Sequence, residues 1–90
     1  MSAAKFKTGR IVTTVNALNT LTQDDILSGL LRHVTGDWGD LNEDDRKEND
    51  LALERGTRLL SAYQTGNGVK FWIITEAGRT ATTVLLPEDY

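Results

Sequence analysis

Between Arg58 and Leu86 the apolar residues fall at every second position, and this change of period constrains the fold more than any other feature of the chain. The stretch reads RLLSAYQ, TGNG, VKFWIITE, AG, RTATTVLL. A period of two is the pleat of a β-strand, whose successive side chains point to opposite faces. Gly66, Asn67 and Gly68 reach positive φ cheaply and mark a first turn; Ala77 and Gly78 mark a second. The segment therefore reads as a three-stranded antiparallel meander. In its middle strand Val69, Phe71 and Ile73 fall on one face, with Trp72 and Ile74 on the other. Apolar residues on both faces place that strand inside the sheet. Pro87 has no N–H to give a ladder and ends the last strand before Glu88, Asp89 and Tyr90.

Upstream the period is helical. Thr22 offers an N-cap oxygen and Asp25 stands three positions on, a capping box with Asp in place of Glu. Ile26, Leu27, Leu30, Leu31 and Val34 recur at helical spacing and Gly36 supplies a left-handed stop, which predicts a helix over residues 23–35. Asn42 opens a second helix. Carboxylates in its first turn, Glu43, Asp44 and Asp45, meet the positive end of the helix dipole at a gain of roughly 0.3–1 kcal/mol each. Leu51, Ala52 and Leu53 give that helix an apolar end, and Gly56 closes it after Arg55. Ahead of both, GRIVTTV (Gly9 to Val15) is β-branched, with Ile11, Thr13 and Val15 on one side, and reads as a short strand. Residues 1–8 are expected to form a flexible N-terminal tail and residues 9–90 a single domain. The order predicts an α+β fold, β-α-α-β-β-β: an antiparallel sheet of three to four strands, the first strand beside the meander, and two helices packed on one face.

Ninety residues suffice for one domain near the small end of what folds without staples. With 39% hydrophobic and 26% charged residues, the balance is that of an ordinary soluble globular domain. No cysteine is present, which excludes disulfides and thiolate metal sites and suits a reducing cytoplasm, the expected location. No apolar run approaches the ~20 residues of a membrane span. The start, MSAAKFKTGR, lacks the apolar core of a signal peptide, so no membrane attachment is expected. The net charge of -3 is unevenly spread: residues 1–23 carry +3, residues 24–54 carry -7 and residues 55–90 carry +1. Such asymmetry bears on partners rather than on fold.

HVTGDWG, then EN with a leucine two residues on, then RLLSAY, WIITEA and TVLLPEDY follow one another in this chain. Together, over Gly9 to Tyr90, they resemble a family of bacterial proteins of about this size found on plasmids, phages and other mobile elements, some labelled plasmid-related. The resemblance implies an accessory protein of a mobile element and carries no activity or site residues with it. Some members bear the label of a type I restriction methyltransferase subunit. Here that label meets a physical objection, because the chain is too short for the large doubly wound domain that holds the methyl donor and has no Gly-rich nucleotide loop after a strand.

Seven carboxylates crowd residues 33–50: Asp37, Asp40, Glu43, Asp44, Asp45, Glu48 and Asp50. A catalytic reading would make His33 a base oriented by Asp37 or Asp40, with Thr35 or Ser28 as nucleophile, but no serine sits on a Gly-x-Ser-x-Gly elbow. The plainer reading has His33 favourable at a helix C-terminus, Gly36, Asp37 and Gly39 forming a turn, and Trp38 anchoring the loop to the core. A metal reading fails on spacing. From Asp37 the alternate positions are Gly39, Leu41 and Glu43, which breaks the calcium-loop pattern, and zinc would need more than one histidine in a chain without cysteine. No enzyme activity, cofactor or metal is expected.

The acidic residues can instead imitate the phosphates of nucleic acid and occupy a basic groove. On that reading the seven carboxylates contact a protein partner with a basic surface, such as a host nucleic-acid-binding complex of a CRISPR or restriction defence. The alternative is a structural or regulatory interaction domain that joins its partner through the sheet, with the acids only solubilising. A homodimer through Trp72, Ile74 and Tyr63 is a further expectation, since a small sheet exposes edges and an apolar face. Direct nucleic-acid binding is not expected. Lys5, Lys7, Arg10, Arg55, Arg58, Lys70 and Arg79 are present with Phe71 and Trp72, but no RNP-like motif appears and the pI is near 5.0.

Overall fold

In a computed structural model, which describes residues 3–90, the elements in chain order are β1 (Arg10–Thr13), α1 (Val15–Thr20), α2 (Gln23–Val34), α3 (Glu43–Arg55), β2 (Leu59–Gln64), β3 (Lys70–Thr75) and β4 (Ala81–Leu85). Short 3₁₀ turns follow β3 and β4 at Ala77–Arg79 and Pro87–Asp89. This is the expected α+β class, with a four-stranded sheet in the order β1-β4-β3-β2. The meander forms as its alternation requires: β2 pairs antiparallel with β3, and β3 with β4. The first strand docks beside the meander on β4, and β3 is an inner strand.

Two features of the expected order are corrected. The sheet is mixed rather than antiparallel, because β1 runs parallel to β4, with Ile11 opposite Thr82 and Thr13 opposite Val84. A parallel pair needs a long crossover instead of a tight turn. Here everything from α1 to β3 lies between the two strands, so no hairpin dictates their direction. The expected strand over Gly9 to Val15 is also shorter, and a third helix follows it. Thr14 turns the chain: its hydroxyl accepts the N–H of Ala17 as an N-cap at 3.1 Å, and Val15 becomes the first residue of α1.

The longer helices start as their caps predict. Thr22 and Asp25 exchange the two hydrogen bonds of a capping box, and Asn42 accepts the Asp45 N–H at 2.8 Å. α3 ends on Gly56 in the left-handed conformation, φ 73°. The buried face of α2 differs from the one its leucines suggest. Ile26, Gly29, Leu30 and His33 turn inward while Leu27 and Leu31 stay exposed. Gly29 explains the rotation: a Cβ there would stand 2.8 Å from the Phe71 ring and 3.1 Å from Ile73 Cδ1, so only glycine lets the helix settle this close to β3.

Register sorts the sheet residues into two sets. Leu59, Ser61, Tyr63, Phe71, Ile73, Thr75, Thr82 and Val84 share one side, and Leu60, Ala62, Trp72, Ile74, Thr83 and Leu85 the other. The main core joins Tyr63, Phe71, Ile73 and Val84 of the first set to Ala17 and Leu21. A second cluster joins Leu59 to Trp38 and Ala52. Within the expected tail, Lys5 donates its N–H to the Val34 carbonyl and Phe6 packs between His33, Trp38 and Arg79. Met1 and Ser2 of that tail lie outside the described residues. Tyr63 leaves the expected dimer surface: it faces the core, opposite in sense to Trp72 and Ile74. No helix among the described residues is long and apolar enough to cross a membrane.

Candidate functional site

HVTGDWG folds into a clamp between α2, α3 and the outer edge of β2. The backbone leaves α2 through Gly36, φ 84°, and Asp37 donates its N–H to the Arg32 carbonyl at 2.9 Å. The Asp37 carboxylate then pairs with the Arg32 guanidinium at 2.7 Å and accepts the Gly39 N–H at 3.2 Å. This pairing with Arg32 holds the carboxyl below the usual carboxylate range. Tyr63 donates its hydroxyl to the Asp37 carbonyl at 2.6 Å and stacks its ring under the Arg32 guanidinium; its burial pushes its pKa up to about 12. Trp38 is buried and donates its indole N–H to Asp50 at 3.2 Å.

His33 is wholly buried. Its Nδ1 lies 2.6 Å from Ser61 Oγ and its Nε2 2.8 Å from Thr75 Oγ1. Thr75 continues to Thr82 at 2.7 Å, and Thr82 donates to the Thr8 carbonyl at 2.7 Å. The proton count closes in one way. A carbonyl only accepts, so Thr82 spends its proton on Thr8 and must accept from Thr75. Thr75 then accepts from His33, whose Nε2 carries the ring proton, and Ser61 donates to Nδ1. Burial, with the positive charge of Arg79 nearby, lowers the His33 pKa to about 4. The Ser61 contact has the distance of a nucleophile and its base, but both groups are fully enclosed, and the nitrogen an orienting carboxylate would take is held by Thr75. Asp37 and Asp40 are not bonded to the ring. Of the two nucleophiles considered from sequence, Thr35 donates to the Leu31 and Arg32 carbonyls and Ser28 lies on exposed helix.

The seven carboxylates do not act as one array. Asp37 is spent on Arg32 and Asp50 on Trp38, and Glu43 lies 3.8 Å from Lys47. Asp40, Asp44, Asp45 and Glu48 are exposed, with no basic partner within ion-pair distance among the described residues. Lys47 and Leu51 sit among Asp50 and Glu54 on the outer face of α3. Arg46 is directed away, its guanidinium donating to the Gly39 and Leu41 carbonyls at 3.0 Å each. Among the described residues no three His, Asp or Glu side chains come close enough to share a metal ion.

Two concavities lie on the other side of the sheet. Trp72, half-buried, separates two grooves there. One, of about 260 Å³, is lined by Arg58, Leu60, Trp72, Ile74 and Tyr90. The other, of about 600 Å³, is lined by Asp40, Ala62, Gln64, Lys70, Trp72 and Pro87. Tyr90 meets Trp72 edge to face at 5.7 Å and accepts a hydrogen bond from Arg58 at 2.7 Å. Arg58, Leu60 and Tyr90 were not singled out from sequence for this surface. The alternation of RLLSAYQ does place Leu60 with Trp72, whereas nothing local indicates that the chain end returns to Arg58.

The class that fold and site define is an α+β domain with a small mixed sheet, a sealed polar core and an open, aromatic sheet side. Compared with family models, curated proteins and solved structures, the chain matches none of them.

Proposed function

We propose that this chain acts by binding another protein rather than by catalysis, with the Trp72 side of the sheet as its docking surface. Trp72 carries the reading: a half-buried indole braced by Tyr90, standing between two grooves with Arg58 at the rim of one. Trp, Tyr and Arg are the residue types that dominate binding energy once water is excluded. The smaller groove has the size and apolar walls to take one aromatic or aliphatic anchor from a partner, and Arg58 can meet a carboxylate beside it. The sequence resemblance to mobile-element proteins supports an accessory role in which that partner is a host protein.

A second reading keeps the acidic surface of α3 as the contact, imitating nucleic acid before a basic groove of a host defence complex. The turning of Arg46 onto loop carbonyls favours it, because one positive charge is withdrawn from among Asp44, Asp45 and Glu48. Lys47 on the outer face weighs against it.

Capture of partners from host lysate followed by a variant series separates the two. On the sheet reading, Trp72→Ala costs more than ~2 kcal/mol of binding with circular dichroism unchanged. The pair Asp44→Lys with Glu48→Lys, added salt and competing duplex DNA then have little effect. Asp50 is left intact in this series because it holds Trp38. Binding that ignores Trp72→Ala but collapses with the charge reversals, and that DNA displaces, overturns the sheet reading.

A further inference from the structure

The two edges of the sheet are guarded unequally. Along β2 the outward backbone groups of Leu60 and Ala62 are taken. Asn49 accepts the Leu60 N–H at 3.2 Å and donates to its carbonyl at 2.6 Å, much as a neighbouring strand would. Ala62 donates to the Trp38 carbonyl at 3.1 Å and accepts from the Asp40 N–H at 2.7 Å. Along β1 the described residues provide nothing comparable. The bonds from Arg10 N–H to Thr80 and from Thr14 N–H to Val84 bracket the ladder, so residues 10, 12 and 14 face β4. The N–H and C=O of Ile11 and Thr13 therefore face outward. Among the described residues no group outside the ladder bonds to them.

An open edge is a template for another strand unless proline, a bulge, charge or a cover blunts it. β1 has no proline, and its surroundings are apolar and exposed: Ile11 is 51% accessible, Val12 41%, Val15 72% and Leu18 62%. These four are half of the eight large exposed apolar residues among the described residues, gathered within residues 11–18.

We propose that β1 pairs antiparallel with β1 of a second copy about a twofold axis through Val12, joining two four-stranded sheets into one. Opposed residues of an antiparallel pair share a face, so a twofold axis normal to the sheet must pass through a residue and not between two. Centred on Val12, Ile11 stands opposite the partner's Thr13 and Thr13 opposite the partner's Ile11. Both are hydrogen-bonded pairs, and every outward N–H and C=O of β1 is used. Arg10, which has no ion pair among the described residues, comes opposite the partner's Thr14. The Thr14 hydroxyl lies 2.6 Å from Asp89 in its own chain, so each guanidinium meets a carboxylate and no like charges face each other. Centring on Ile11 would oppose Thr13 to the partner's Gly9, whose φ of 62° takes the backbone out of the extended region. Val12 is therefore the register that self-pairing selects. This contact is made along the backbone edge of β1 and does not depend on the role of the Trp72 grooves.

The absence of cysteine makes the test direct. Val12→Cys places two thiols across a non-hydrogen-bonded pair with Cα atoms about 4.5 Å apart, within the range a disulfide spans. Under mild oxidation the full chain with Val12→Cys forms a covalent dimer in native buffer. Ile11→Cys, whose copies are offset along the strands, does so much less. The wild-type chain sediments as a concentration-dependent dimer, and Val12→Lys, which brings two ammonium groups together on the axis, weakens that dimer at least about tenfold with circular dichroism unchanged. If Val12→Lys does not fold, the cysteine pair and the wild-type mass decide alone. A wild-type monomer up to high micromolar concentration, cross-linking equal at both positions, or Val12→Cys cross-linking that forms equally well when oxidation is carried out in denaturant overturns the proposal.

Discussion

Protonating His33 means placing a charge where no water reaches it and where Ser61 already donates to the free nitrogen. The ring therefore titrates at about 4 when folded, against 6.5 in the unfolded chain. As pH falls the unfolded chain takes up the proton first, so the stability contributed by neutral His33 is complete above 6.5 and is lost on the way down to about 4. A shift of this size corresponds to roughly 3 kcal/mol. Urea unfolding midpoints through that window are expected to fall for the wild type and to flatten in His33→Gln, which has no charge to gain; an unchanged slope would remove His33 as the source. The carboxyls of Asp37 and Asp89 are held below their ordinary value by Arg32 and by Thr14 with Asn16, respectively. They contribute above that value and lose their effect only at still lower pH, which keeps the two windows apart. The burial of His33 was not legible from spacing alone. A histidine near a helix C-terminus suits the exposed dipole equally well, and only the arrival of Ser61 and Thr75 on neighbouring strands makes a buried imidazole affordable.

At the level of elements, the β2 edge is closed by a side chain. Asn49→Ala leaves the outward N–H and C=O of Leu60 without partners, and the expected loss is about 1–3 kcal/mol, read as a lower denaturant midpoint with faster amide exchange confined to β2. A loss spread evenly over all strands would argue that Asn49 acts through α3 packing instead. Caps and turns were the legible part of this layer. Thr22 with Asp25, Asn42, Gly56 and the turn at Gly66–Gly68 act within a few residues, so sequence order alone brings their partners together. The rotation of α2 was not legible, since Leu27 and Leu31 satisfy helical spacing as well as Ile26 and Leu30 do. Gly29 decides between them, and its reason lies in β3, more than 40 residues along the chain.

Across the whole molecule, the two ends of the chain are tied at one carboxylate. Asp89 receives the Thr14 hydroxyl at 2.6 Å, the Asn16 amide at 2.7 Å and the Leu86 N–H at 3.0 Å, joining the last turn to the start of α1. Asp89→Ala is expected to lower the unfolding midpoint and to raise proteolysis near both termini, while Glu88→Ala, exposed and one residue away, leaves both unchanged. Equal behaviour of the two variants would show that the tie carries no stability. The next residue, Tyr90, lines the groove beside Trp72.

What the sequence determined by itself was everything governed by near neighbours: the α+β class, the meander with β3 inside it, the two capped helices, and the alternation that separates Phe71 and Ile73 from Trp72. Tertiary structure alone decided the parallel docking of β1, the helix begun by Thr14, the inward turn of Tyr63 and the sealing of His33. It also left one edge closed by Asn49 and the other open at Ile11 and Thr13. Each of these depends on groups brought together from far along the chain. A local pattern of periods and caps fixes which segments become helix or strand and where they start and stop, but it holds no information about which distant backbone or side chain packs against them.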